Sequence, residues 1–304
     1  MTTTDASVLL FFIDGLGIGR RGPFNPLDKL PNAAPLAVFQ EEIPESFLDG
    51  VVVPTDASLR VTGRPQSASG QTTILTGINA PAQLGYHKQG FPNKPLLEII
   101  NHHSIFRQLR EAEVGPITFA NAYSDRFFIE RPRWISATTA AVEAAGLEFR
   151  TVADLKDNAA VFMDFTNRVL IERGVDVRER SEADAAEVLA RITHENRFTL
   201  YEYFITDKVG HAQDMQKARE VLTSLALFIR ELLVRLDLKR TTVILTSDHG
   251  NIEDLSSRNH TLHAVPTIVW GAQRELVAAR IQTLTDITPA IVDLLATKRH
   301  TNEE

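Results

Sequence analysis

Cysteine is absent from all 304 residues. That excludes disulfide staples, thiolate metal sites and a cysteine nucleophile, so any metal ion must be held by oxygen and imidazole donors. Long apolar runs are missing too. Val8 to Ile13 is too short for a membrane span, and Met1-Thr2-Thr3-Thr4-Asp5 before it has no basic stretch like that of a signal peptide. The expectation is a cytoplasmic protein with no membrane partner. There is also no block of one charge: 39 acidic against 32 basic residues give a net charge of -7 without a Lys/Arg-rich run, so no nucleic-acid partner is expected. Repeats and low-complexity tracts are absent, and Arg20 to Pro35, rich in Pro and Gly, reads as a loop beside a first strand. With 43% hydrophobic residues, the chain has material for one large domain over residues 1–304, with or without a small cap. Nothing in it sets an oligomeric state.

What is present is a series of apolar runs that end in polar residues. Val243 to Thr246 leads into Ser247-Asp248-His249-Gly250-Asn251, and Val8 to Ile13 leads into Asp14-Gly15. Continuous apolar runs suit strands covered on both faces, which predicts an α/β fold with a mostly parallel sheet and helices on both sides. In such sheets ligands bind beyond the carboxyl ends of the strands, where Asp14, Asp248 and His249 would stand. A turn Asp is the ordinary alternative for each. Gly15, Gly17 and Gly19 resemble a dinucleotide fingerprint, but Pro23 and Pro26 fall where its helix should begin.

Phe198 to Thr206 reads as a strand running into Asp207-Lys208-Val209-Gly210-His211. On a helix starting after Asp207, Asp207 and His211 are four positions apart and share a side, as two ligands of one metal would. A plain surface pair is the alternative. Asp14, Asp207 and Asp248 with His211, His249, His260 and His263 form an O/N donor set suited to two divalent ions such as manganese or zinc. Ser67 lies just before an expected helix that ends at Gly77. It could be a helix cap or a nucleophile, and without a neighbouring His a metal would have to activate it. The stretch 115–121 reads as a strand ending near Asn121 and Arg126, and part of 122–197 as a small cap. Ser181 and Asp184 open a helix in a capping-box pattern. Arg64, Lys88, Arg126 and Lys208 are candidate anion contacts, with Asn121 and His263 beside them as possible substrate contacts.

Five motifs together resemble the alkaline phosphatase superfamily, in the metalloenzyme branch that contains cofactor-independent phosphoglycerate mutase and phosphopentomutase. They are Phe12-Ile13-Asp14-Gly15, Ser67-Ala68-Ser69-Gly70, Asp207 to His211, Ser247 to Asn251, and His260-Thr261 followed by Val265-Pro266. The resemblance implies an alkaline-phosphatase-like fold with two divalent ions. By it, Asp207, His211 and His260 would hold one ion and Asp14, Asp248 and His249 the other, with Ser67 on that second ion as nucleophile. Thr72 is the rival nucleophile, disfavoured because it would lie inside the helix.

The chain also departs from that pattern. It has no room for the large domain that the mutase carries after its nucleophile segment. Water could therefore reach a phosphoserine, so the expected activity is hydrolysis of a small phosphorylated metabolite. Mutase or phosphotransferase activity, diester hydrolysis and a non-catalytic metal-binding role are the alternatives. The Cys/Ser-x-Pro-x-Arg pattern of sulfatases is missing at Ser67 to Gln71.

Overall fold

The computed structural model describes residues 6–296. Its centre is a seven-stranded sheet. The strands are β1 (Ser7–Ile13), β2 (Ser46–Phe47), β3 (Gly50–Thr55), β4 (Ile117–Phe119), β5 (Phe198–Tyr203), β6 (Thr241–Ser247) and β7 (Val265–Trp270), in the order β2-β3-β7-β6-β1-β5-β4. β6, β1, β5 and β4 are mutually parallel, and β7 and β2 run against them while β3 runs with them. The sheet is therefore mostly parallel.

Alternation along the buried strands sends side chains into two cores. Leu9, Phe11, Ile13, Tyr201, Val243 and Leu245 face one side, where the helices Glu182–Glu195 and Met215–Arg235 lie. Val8, Leu10, Phe12, Leu200 and Ile244 face the other, against the helices Ile105–Glu111, Ala137–Ala144 and Ile287–Ala296. A smaller cluster of Ala122, Leu155, Ala160, Phe162, Met163 and Leu170 sits within the segment read as a cap. No helix among the described residues is long and apolar enough to cross a membrane.

Two local expectations need correction. The strand read to Thr206 stops at Tyr203, and the helix Ile205–Ala212 begins before Asp207 rather than after it. Ser181 accepts a hydrogen bond from the Asp184 amide, but Asp184 turns toward Arg178 instead of closing the capping box. The β2–β3 hairpin was not legible at all. Its two turn residues, Leu48 and Asp49, both have positive φ, and the Asp49-Gly50 pair falls one residue later than the turn it would ordinarily signal; Pro54 in β3 stands opposite Pro266, so neither donates to the ladder.

Candidate active site

β1 lies between β5 and β6, and the parallel register pairs Ile13 with both Tyr203 and Ser247. The three strands thus end at one level, and the next residues, Asp14, Phe204 and Asp248, emerge side by side. The Asp14 amide still donates to the Tyr203 carbonyl at 2.9 Å. Gly15 then turns the chain at φ +79, and a Cβ on it would meet Asp207 at 3.0 Å, so a glycine is what lets the two carboxylate segments close up.

Two donor groups result. Asp207 Oδ1 lies 3.4 Å from His211 Nε2 and 3.4 Å from His260 Nε2, and the two imidazole nitrogens are 3.2 Å apart. His249 Nε2 lies 3.2 Å from Asp14 Oδ1, 3.5 Å from Asp248 Oδ2 and 2.9 Å from Ser67 Oγ. Donors at roughly 2.0–2.2 Å around a tetrahedral ion stand about 3.4 Å apart, which is the spacing seen here. Asp14 Oδ1 and Asp248 Oδ2 are buried with no hydrogen-bond partner, as expected of oxygens kept for a cation. The residues therefore fit divalent metal ions. Asp207 also comes within reach of Asp14 and His249, so it stands between the two groups rather than in the first alone.

Each imidazole is oriented from behind. His211 Nδ1 is 2.7 Å from the Arg258 carbonyl and His260 Nδ1 is 3.0 Å from the Pro65 carbonyl. An Nδ1–H given to a carbonyl leaves Nε2 with its lone pair turned to the centre. The His249 and His260 rings stack at 3.7 Å.

The helix Ser67–Thr76 begins with Ser67 itself, one residue earlier than expected. Gln66 is its cap residue, so the capping role open to Ser67 is not taken; its hydroxyl faces His249 instead. The rest of this helix is buried although it is rich in hydroxyls. Thr72, Thr73 and Thr76 each donate to the carbonyl four residues back, which satisfies them internally. Thr72 is thereby committed at 2.6 Å to Ala68 and turned from the centre.

The charges at the site conflict without a cation. Burial lifts the Asp14 carboxyl above its usual range and Asp248 well above it, and neighbouring carboxylates add to both. Burial disfavours a charge on His249, yet Asp248 and Asp14 hold its pKa up to about 10. Burial raises Asp207 too, but its contact with His260 and the charge of His249 bring it down to about 2. Such a concentration of anionic groups is an attractive place for a positive ion, which would displace the imidazole proton on binding.

Three further residues support the donors, and of these only Asn251 belonged to a motif read from the sequence. Gln71 Nε2 donates to Asp14 Oδ2 at 3.1 Å, and Asn251 Nδ2 to Asp207 Oδ1 at 2.6 Å. Buried Glu253 receives the Gly17 and Asn251 amides, the Thr261 hydroxyl and His263 Nδ1, the last at 3.0 Å. His263 thus stands behind the loop that carries His260 and does not contact the donor groups.

A crevice of about 540 Å³ opens from Asp14 and Ser67. Asn121 and Lys208 line it, though Asn121 is held by backbone bonds to Glu202 at 2.7 and 2.9 Å. Arg64, Lys88 and Arg126 do not line it. Arg64 is exposed, Lys88 Nζ donates to the Gln89 carbonyl, and Arg126 pairs with Glu130. Sequence reasoning missed Arg173, Glu202 and the aromatic wall of this crevice, since they come from segments far apart in the chain.

The chain belongs to the Metalloenzyme superfamily, whose family model matches residues 137–299. That span carries Asp207, His211, Asp248, His249 and His260. A 2,3-bisphosphoglycerate-independent phosphoglycerate mutase from Dinoroseobacter shibae is 30% identical over 100 residues, which is 31% of this chain and 20% of that protein. The chain thus matches only a fifth of that relative's length. Among solved structures, the PH0037 protein from Pyrococcus horikoshii superposes with a TM-score of 0.55 at 14% identity, over 98% of this chain and 99% of that one. A cold-active alkaline phosphatase from Shewanella sp. gives 0.53 at 11% identity, over 95% and 99%. The fold is alkaline-phosphatase-like, and membership of the superfamily implies divalent metal ions.

Proposed function

We propose that the protein is a phosphoryl-transfer hydrolase that acts on a small phosphorylated metabolite, with Ser67 as nucleophile. The observation that carries this reading is the position of Ser67 Oγ, 2.9 Å from His249 Nε2, at the start of a buried helix and open to the crevice. Manganese or zinc ions held by the two donor groups would draw charge from the phosphate oxygens and favour the ionised serine hydroxyl. The Ser67 and Ala68 amides, free at the first turn of the helix, favour the anion from the other side. Ser67 Oγ forms a bond to phosphorus as the ester P–O bond breaks, and the leaving oxygen takes a proton as it departs. Water then attacks the phosphoserine, releasing inorganic phosphate and restoring Ser67.

The local similarity to a phosphoglycerate mutase supports a second reading, in which the phosphoryl group returns to a different hydroxyl of the same substrate. Incubating the metal-loaded protein with a panel of phosphate monoesters separates the two. The hydrolase reading expects released phosphate; an isomer without release would overturn it. Ser67→Ala should lower turnover by about 10³-fold or more while metal content stays within a factor of two by elemental analysis.

A further inference from the structure

The crevice next to Ser67 has two kinds of wall, and the difference between them bears on the substrate. This inference rests on the phosphoryl-transfer reading above. One wall is cationic: Lys208 and Arg173 are its basic side chains, and neither forms an ion pair among the described residues. Lys208 Nζ sits 4.7 Å over the Phe204 ring, half-buried, and burial followed by repulsion from Arg173 lowers its pKa. Two unpaired cations beside a nucleophile suit the oxygens of a phosphate.

The other wall is aromatic. Tyr123 and Phe127 pack at 4.5 Å, whereas Phe162, which also lines the crevice, belongs to the cluster that includes Phe204 beneath Lys208. Phe91 and Trp134 join from two separate segments although 49% and 55% of their surfaces are exposed. The helix Asp125–Glu130 fully buries none of its residues; its Phe127 packs on Tyr123 and Phe149 while still lining the crevice.

The polar side chains between the walls are mostly spoken for. Gln71 is given to Asp14, Asn121 to the β5 backbone, and the Tyr123 hydroxyl to Thr139, which also meets Ser136 at 2.9 Å. Ser124 and Glu202 are what remains to a ligand. Glu202 is buried, and burial reinforced by Asp14 raises its pKa to about 8. A sugar or a glycerate would need many unpaired donors and acceptors, whereas flat apolar faces are what this crevice offers.

We propose that the substrate is a phosphate monoester of an alcohol with an aromatic or flat apolar body, its phosphate toward Lys208 and Arg173 and its body against Tyr123, Phe127 and Trp134.

Binding and turnover test this separately on the metal-loaded protein. Phenylphosphonate, which cannot be hydrolysed, is titrated against methylphosphonate with tryptophan fluorescence as readout. The chain has two tryptophans, and Trp270 is buried in β7, so a change on binding reports Trp134. The expected result is at least tenfold tighter binding of phenylphosphonate, with the signal gone in Trp134→Phe. Equal affinities, or a signal that survives Trp134→Phe, would overturn the inference. For turnover, 2-phenylethyl phosphate is compared with glycerol 1-phosphate, whose leaving alcohols have similar basicity. The phenylethyl ester should have a kcat/KM at least tenfold higher, and Phe127→Ala, a change at a partly exposed ring, should narrow that ratio. Phosphate release from both esters at equal kcat/KM sinks the inference and keeps the hydrolase reading. Selective phenylphosphonate binding with no release from either ester does the reverse.

Discussion

At the scale of single residues, the donor set divides into groups that would touch a metal and groups that hold those in place. His260 belongs to the first kind and His263 to the second, although they are three positions apart. Isothermal titration with manganese or zinc should show one ion lost in His260→Ala. His263→Ala should keep both ions with affinity about 10–100-fold weaker, the usual cost of losing outer support. Glu202 yields a pH prediction. Its folded pKa of about 8 stands above the ordinary value of 4.5, so the stability it contributes is fully present below 4.5 and is lost as the pH rises through 8. Urea unfolding of the metal-free protein should therefore show Glu202→Gln gaining on the parent from pH 5 to pH 9, by an amount on the order of 3 kcal/mol. An unchanged difference across that range would contradict the assignment. Asp14, Asp207, His211, Asp248 and His249 were legible because each follows an apolar run or sits at helical spacing, whereas His260, in a polar loop, stood out mainly through the family motif. Glu253 and Gln71 were not, since a carboxylate or amide in a polar loop or helix looks the same whether or not it supports a neighbour.

At the scale of elements, the buried helix Ser67–Thr76 is set directly against the end of β6. Gly70 is the point of closest approach, where a Cβ would fall 2.9 Å from the Asp248 carbonyl oxygen, a backbone atom that cannot step aside. Gly70→Ala should push the helix off the strand end, destabilise the protein by about 1–3 kcal/mol in urea unfolding and reduce phosphate release even at saturating metal. Wild-type behaviour would mean that the helix has slack the packing does not show. The long helices and β1, β5, β6 and β7 were readable from apolar periodicity and run length. The start of the helix Ile205–Ala212 was misplaced because Phe204 and Ile205 have strand-like side chains, and only the bend after Tyr203 decides between the two. The hairpin of β2 and β3 was missed because β2 is only two residues long and the Asp49-Gly50 pair is offset by one residue from the turn.

At the scale of the whole molecule, metal and fold are linked. Asp14, Asp207, Asp248 and His249 bring several buried charges to one place, and only a cation satisfies the oxygens left without partners. Removal of metal with a chelator should lower the melting temperature, and re-addition should raise it progressively with ion concentration, by about 2.7 kcal/mol of stability at a hundredfold excess over Kd for each site. A melting curve indifferent to chelation would deny the donor groups their role. The mostly parallel α/β architecture was visible in the sequence as a whole, because apolar strand runs alternate with helical stretches. The crevice was not, since its walls come from segments far apart in the chain whose meeting depends on tertiary packing.

The place of β1 between β5 and β6 has a consequence for how the chain is made. Its apolar run at Ser7–Ile13 is far in sequence from its two neighbours in the sheet, which begin at Phe198 and Thr241. At ribosomal speeds of about 5–20 residues per second, β1 is complete roughly 10–50 s before its second partner exists. During that interval both of its edges are unpaired, the condition that invites association with other chains. Because Asp14 rides on β1, the donor group it forms with Asp248 and His249 cannot assemble until β6 has been made and paired beside it.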